Sequence, residues 1–284
     1  MYFDTHAHLN FATFVKDRDS VVKKCLQEKI WLINVGTNFF TSQKAVEIAQ
    51  KYDEGIYAAI GLHPINLDTG LIKMKIDKDE DEDDGDSPFE QEFDYERYKK
   101  LAQNKKVVAI GEIGLDYYWK PKTKKRLEDF KFKQRNLFLT ELRLAKELDL
   151  PIIIHCRMAH EDLLRILRKQ YSIYDSKFKG VIHCFTGDWE QAKQYMELGF
   201  LIGFNGIIFK LKLDDVIKKI SLNKILIETD CPYLSPPSYN QKQNDPFGVK
   251  IIAQEIARIK KLSLEEVAVQ TTKNAKKLFL SINN

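Results

Sequence analysis

The sequence offers no apolar run near the roughly 20 residues that a membrane-spanning helix needs. It has four cysteines, Cys25, Cys156, Cys184 and Cys231, and no two are spaced as CxxC. That spacing excludes a disulfide framework and a zinc knuckle, so reduced and mostly buried thiols are expected. No basic leader with an apolar core opens the chain; residue 2 already reads into a strand that carries Asp4, which argues against a signal peptide. The expectation is a soluble, cytoplasmic protein with no membrane association. Solenoid repeats and dividing linkers are also lacking, so one domain over residues 1–284 is expected. Acidic charge is concentrated in one place. Residues 77–86 hold eight acids and one lysine, a net −7, so the rest of the chain carries +11 against the total of +4. A basic body is compatible with a polyanionic substrate. The acidic stretch, within about residues 70–88, reads as a solvated insertion.

What the sequence does contain is a regular alternation. Apolar, β-rich runs lie at residues 2–5, 31–36, 57–61, 107–111, 151–155, 180–183, 200–204 and 225–229. Helical patterns fall between them, near 19–29, 42–51, 94–104, 125–148, 161–171, 189–198 and 213–220. Eight short strands separated by helices predict a closed parallel barrel or a doubly wound sheet, and the count of eight favours an α/β (β/α)8 barrel. The C-terminal part reads as helical. Asp245-Pro246 has the form of an N-cap followed by proline, and Ser263-Leu264-Glu265-Glu266 that of a capping box.

The sequence has six histidines, and five of them fall at the ends of predicted strands. His6 and His8 end the first; with a side-chain period of two, Asp4, His6 and His8 are expected on one face. His63 follows the third strand, His155 ends the fifth and His183 the sixth. Glu112 follows the fourth strand and Asp230 the eighth. In a (β/α)8 barrel these ends form the face that carries active sites. Four histidines (His6, His8, His155, His183) with Glu112 and Asp230 exceed what one tetrahedral ion uses and suit a pair of divalent ions with one carboxylate shared. Two ions about 3.5–4 Å apart clamp the oxygens of a hydrolytic displacement and lower the pKa of water toward ~7. His63 either packs on Pro64 or touches substrate. His160, at a helix start, is expected to be solvated. Cys156 and Cys184 each follow a ligand histidine and should turn to the helices as core. Glu228 shares the period of Asp230 and reads as a partner that orients a histidine or as a buried ion-pair member.

After Glu112 the chain runs through Tyr117, Tyr118 and Trp119 into Lys120, Lys122, Lys124, Lys125 and Arg126. Aromatics stack on unpaired bases while lysines hold phosphates. A Tyr/Trp cluster packed under a helix start is the alternative.

Six stretches resemble the TatD family of metal-dependent deoxyribonucleases, within the amidohydrolase-like metallo-hydrolases: residues 3–10 (FDTHAHLN), 61–64 (GLHP), 111–117 (GEIGLDY), 151–157 (PIIIHCR), 183–187 (HCFTG) and 228–234 (ETDCPYL). The resemblance implies a TIM barrel with one ion on His6, His8 and Asp230, a second on His155 and His183, and Glu112 between them. It implies Mg²⁺, Mn²⁺ or Zn²⁺ as the ions and DNA phosphodiesters as substrate, with an exonuclease preference. Asp230 is then both ligand and proton acceptor. Glu112 is the shared catalytic carboxylate. From the residues themselves, His63, Arg157, Tyr117, Lys120 and Lys122 are expected to contact substrate. A monomer with no obligate protein partner is expected. Three departures stand out: the acidic insertion, Cys231 after Asp230, and residues 238–242 (SYNQK), which have no arginine where the family has a His-Arg-Gly-Lys-like stretch. The rival readings are an amidohydrolase or lactonase using the same site, and a metal- or nucleic-acid-binding protein without catalysis. Those amidohydrolases often bridge their metals with a modified lysine, and Glu112 at the fourth strand argues against their close relatives.

Overall fold

The structure, a computed structural model, describes residues 1–72, 89–175, 177–239 and 243–280. The acidic run at 77–86 and residues 240–242 lie outside the described residues. Eight parallel strands follow one another in sequence order around the sheet. They are β1 (Tyr2–Ala7), β2 (Ile30–Val35), β3 (Ile56–Ile60), β4 (Val107–Asp116), β5 (Ile152–Arg157), β6 (Gly180–Ile182), β7 (Leu201–Phe204) and β8 (Ile225–Ile227). Helices α1 (Arg18–Gln27), α2 (Phe39–Gln50), α3 (Tyr95–Ala102), α4 (Lys124–Glu147), α5 (His160–Tyr174), α6 (Trp189–Glu197) and α7 (Asp214–Lys219) fall between strands, and α8 (Val249–Lys260) and α9 (Leu264–Phe279) close the chain. This is the (β/α)8 barrel that the alternation predicts. Both C-terminal caps form: Asp245 accepts the Phe247 N–H at 2.9 Å, and Ser263 and Glu266 bond reciprocally at 3.2 and 2.8 Å. Among the described residues, no helix is long and apolar enough to cross a membrane.

Period-two alternation divides the apolar residues into two layers. Phe3, Ile33, Val35, Ala59, Ala109, Ile153, Val181 and Leu226 fill the barrel, and Phe279 of α9 packs with them. Their neighbours, such as Leu32, Ile60, Ile152, Ile154 and Ile227, belong to the layer shared with the helices. Removing a buried ring such as Phe3, which has no exposed surface, costs on the order of 3–5 kcal/mol.

Two irregularities aim the functional side chains. Between Asp4 and Ala7, β1 advances three residues while β2 advances two. β4 does the same against β5 between Ile110 and Ile113. Each extra residue is a bulge that exchanges faces. The expectation that Asp4 shares a face with His6 and His8 is therefore corrected. Phe3 lies inside the barrel, Asp4 turns out, and the bulge turns His6 and His8 to the mouth. Asp4 takes a structural part instead. Its carboxylate accepts from Thr229 N–H at 2.9 Å, Thr229 Oγ1 at 2.6 Å and His6 N–H at 3.2 Å. These bonds tie β1 to the chain just past β8, where the ladder is reduced to one bridge, Ala7 to Cys231, among the described residues. Asp230 N–H donates to His6 O at 2.8 Å and His8 N–H to Cys231 O at 3.0 Å, so the seam itself sets Asp230 beside the two histidines.

Candidate active site

The barrel mouth gathers all six ligand candidates. His6 Nε2 lies 3.1 Å from His8 Nε2 and 3.2 Å from Glu112 Oε2. Asp230 Oδ1 is 3.3 Å from His8 Nε2 and 3.8 Å from His6 Nε2. On the other side, His155 Nδ1 is 2.8 Å and His183 Nε2 3.7 Å from Glu112 Oε1. Glu112 thus faces both groups with different oxygens. His6, His8 and Asp230 can hold one ion, as can His6, Glu112 and His183.

Hydrogen bonds to the far ring nitrogens decide which nitrogen is free to bind. His8 Nδ1 is 2.8 Å from the Val35 carbonyl, which only accepts, so Nδ1 carries the proton and Nε2 offers a lone pair. His183 Nδ1 lies 2.9 Å from Glu228 Oε1, a close ion contact off the line of an ideal hydrogen bond, and again Nε2 faces the centre. Glu228 is thus in contact with His183, and its Oε1 also accepts the Cys184 N–H at 2.6 Å. It fits because Gly203 has no side chain; a Cβ there would stand 2.6 Å from Glu228 Oε2. His155 presents Nδ1 to Glu112 and gives Nε2 to Asp116 Oδ2 at 3.0 Å. His63 is the reverse case. Its Nδ1 accepts the Ile65 N–H at 3.0 Å, so the proton sits on Nε2, 3.5 Å from Glu112 Oε1. His63 is a donor toward the cavity, although its position beside Glu112 and His155 resembles that of a ligand.

Electrostatics point the same way. Burial pushes His155 and His183 down, but the surrounding carboxylates outweigh it and raise them to about 9 and about 10. Burial would push Glu112 up, yet His63, His6, His183 and His155 hold it well below the usual range. Burial, reinforced by the His183 charge, pushes His6 down. The carboxylates thus demand positive charge, and the free nitrogens of His6 and His8 converge on one point. This donor set fits divalent cations, which replace protons on such histidines.

The mouth opens as a cavity of about 390 Å³, lined among others by His8, His63, Glu112, Asp116, His155, Arg157, His183, Cys184 and Asp230. Arg157, its side chain 38% exposed, stacks over the Tyr118 ring at 4.5 Å. Tyr118 and Trp119 are exposed (51% and 58%) and pack edge to face at 5.0 Å. Lys120, Lys122 and Lys124 follow, all exposed. Tyr117 is placed otherwise than the substrate role expects. It is buried, bonds Asp162 of α5 at 2.9 Å and lies under Lys131, because alternation beyond Asp116 turns it to the helix layer. Cys156 packs behind β5, 3.3 Å from His160, as expected. Cys184 does not: β6 ends at Ile182, and a φ of 45° swings the thiol to the mouth, 3.5 Å from Asn205 Oδ1. His160 is not solvated either; Tyr195 holds its Nδ1 at 3.0 Å, and burial pushes it down to about 4. Asp116, which the sequence expectations leave without a role, lies at the centre of the β4/β5 side. The spacing Glu112, Gly114, Asp116 was the available signal.

Comparison with known proteins agrees with this geometry. The family model described as "TatD related DNase" matches residues 3–280. The metal-dependent hydrolase YabD of Bacillus subtilis is 40% identical over 98% of this chain and 99% of its own. A Citrobacter rodentium protein named 3'-5' ssDNA/RNA exonuclease TatD is 33% identical over 98% and 97%. Among solved structures, the TatD homologue YjjV of Escherichia coli superposes with a TM-score of 0.78 at 28% identity, covering 98% of each chain. With a barrel of this order and a mouth ringed by histidines and carboxylates, the chain belongs to the TatD-related family of metal-dependent hydrolases.

Proposed function

We propose that the protein hydrolyses nucleic-acid phosphodiesters at a site for two divalent ions. The observation that carries this reading is the pairing of a split ligand set, joined by Glu112, with a rim of exposed aromatics and lysines. His6, His8 and Asp230 would hold one ion, His155 and His183 the other, and Glu112 both. When bound, such ions supply Lewis acidity toward a phosphoryl oxygen and lower the pKa of water.

The remaining work falls to the chain's own groups. Asp230 accepts a proton from the attacking water through a carboxylate whose side chain is 14% exposed and faces the cavity. His63 donates from Nε2–H to a phosphoryl or leaving oxygen. The Arg157 guanidinium meets phosphate charge at the rim. Tyr118 and Trp119 present faces and edges on which unpaired bases stack, in place of the buried Tyr117. Lys120, Lys122 and Lys124 follow the phosphate backbone. The name of the Citrobacter relative supports single-stranded nucleic acid and end-directed cleavage.

The test is hydrolysis of end-labelled single- and double-stranded DNA and RNA, beside an ester and lactone panel, after chelation and after adding Mg²⁺, Mn²⁺ or Zn²⁺. Metal-dependent shortening of single strands from one end is the expected result. Turnover of esters with no cleavage of any nucleic acid would overturn the proposal.

A further inference from the structure

Asp116 is 3% exposed, and both of its carboxylate oxygens meet fixed groups. Its Oδ2 is 3.0 Å from His155 Nε2, 2.8 Å from Arg157 Nε and 2.7 Å from Arg157 Nη2. Its Oδ1 accepts the Tyr118 N–H at 2.9 Å. Its own N–H donates to Gln134 Oε1 at 2.9 Å, and Gln134 is buried in α4. One oxygen thus serves both a ligand histidine and the arginine at the rim.

Strand geometry fixes this arrangement. Asp116 is the register partner of Arg157, and Gly114 of His155. Past the bulge, Glu112, Gly114 and Asp116 share the inner face. Gly114 has a φ of 143°, and a Cβ there would come within 2.1 Å of His155 O. The bare backbone lets β5 close on β4, so that the imidazole of His155 lies between two carboxylates. Glu112 takes Nδ1 and Asp116 takes Nε2. A carboxylate on Nε2 holds the proton there and keeps the lone pair on Nδ1.

We infer that Asp116 is a positioning residue that couples the ligand His155 to the anion contact Arg157. It presents His155 Nδ1 to the cation and holds the guanidinium over the rim, so that ion binding and phosphate binding depend on one side chain. The inference rests on the two-ion reading above.

The experiment is calorimetric titration of Mn²⁺ into the purified full-length protein, wild type, Asp116→Asn, Arg157→Ala and the double variant. KM for a small chromogenic phosphodiester is measured alongside. Wild type should bind in two steps. D116N, which keeps shape but loses charge, should weaken one step about 10–100-fold, the usual effect of losing a carboxylate behind a ligand histidine. R157A should leave both steps intact. The D116N defect should persist in the double variant. D116N should raise KM in the wild-type background and add nothing to KM when Arg157 is absent. Wild-type metal binding by D116N would overturn the inference and leave Asp116 as a counter-ion of Arg157 alone. A defect that vanishes in the R157A background would overturn it too. A single wild-type step that D116N still weakens would remove the second ion while keeping Asp116 as the anchor of His155.

Discussion

The two sides of the mouth are built by opposite means. On the β4/β5 side, the ladder continues to the last residue of the site: His155, Asp116 and Arg157 sit on paired backbone, and Glu112 sits in the bulge just before it, its N–H donating to Gly36 O at 2.9 Å. Each of their polar ends meets a fixed partner. On the β1/β8 side the ladder gives way to one bridge, and Asp4 and Thr229 make the joint through side chains. His6 Nδ1 there is buried without a partner among the described residues. One half is rigid because of its strands. The other is joined by two backbone hydrogen bonds, Asp230 N–H to His6 O and His8 N–H to Cys231 O, and by the buried Asp4 carboxylate. The lesson is that a barrel can set the last ligand candidate, Asp230, without completing its sheet.

Removing what the halves share should have the largest effect. Glu112→Gln keeps the shape but loses the charge that lets two cations approach. Hydrolysis should fall about 10³-fold or more, the scale of losing one preorganised charged group, with the fold retained. Wild-type turnover by this variant at saturating metal would end the idea of a shared ligand.

Next comes the seam alone. Asp4→Ala strands three donors and should cost about 3 kcal/mol of stability. Denaturant unfolding measures that loss, and metal titration should locate the damage in the His6/His8/Asp230 step. Equal damage to both steps would show that the two halves are one mechanical unit.

Behind the rigid half, His160 gives a pH signature. Below pH 6.5 the unfolded chain protonates this histidine, while the folded protein resists until about 4. Stability is therefore lost as pH falls through that window, by about 3 kcal/mol. His160→Gln should flatten the slope of unfolding free energy between pH 6.5 and 4.5; parallel slopes for the two proteins would refute the buried neutral state.

The smallest effect is expected at the rim. Replacing Lys120, Lys122 and Lys124 by Ala should weaken DNA binding and lower the salt slope by about 2, with little change for a small phosphodiester. Equal loss on the small substrate would make the loop structural.

The sequence by itself determined the eight strands, the helices between them, the C-terminal caps and the six ligand candidates that meet at the mouth. Apolar runs, cap residues and histidines at strand ends are local signals, and the barrel follows from their order. Only the tertiary structure decided where those residues point. The bulges on β1 and β4 depend on the neighbouring strand's register, so the period of two misplaced Asp4. Tyr117 and Tyr118 are adjacent aromatics in the sequence, and only the end of β4 decides which is buried. His63 could pack on Pro64 or touch substrate, and only the Ile65 N–H on its Nδ1 turns Nε2–H to the cavity. Asp116 gains its part only where β4 and β5 pair, because a carboxylate acts through the groups that packing brings within hydrogen-bond distance.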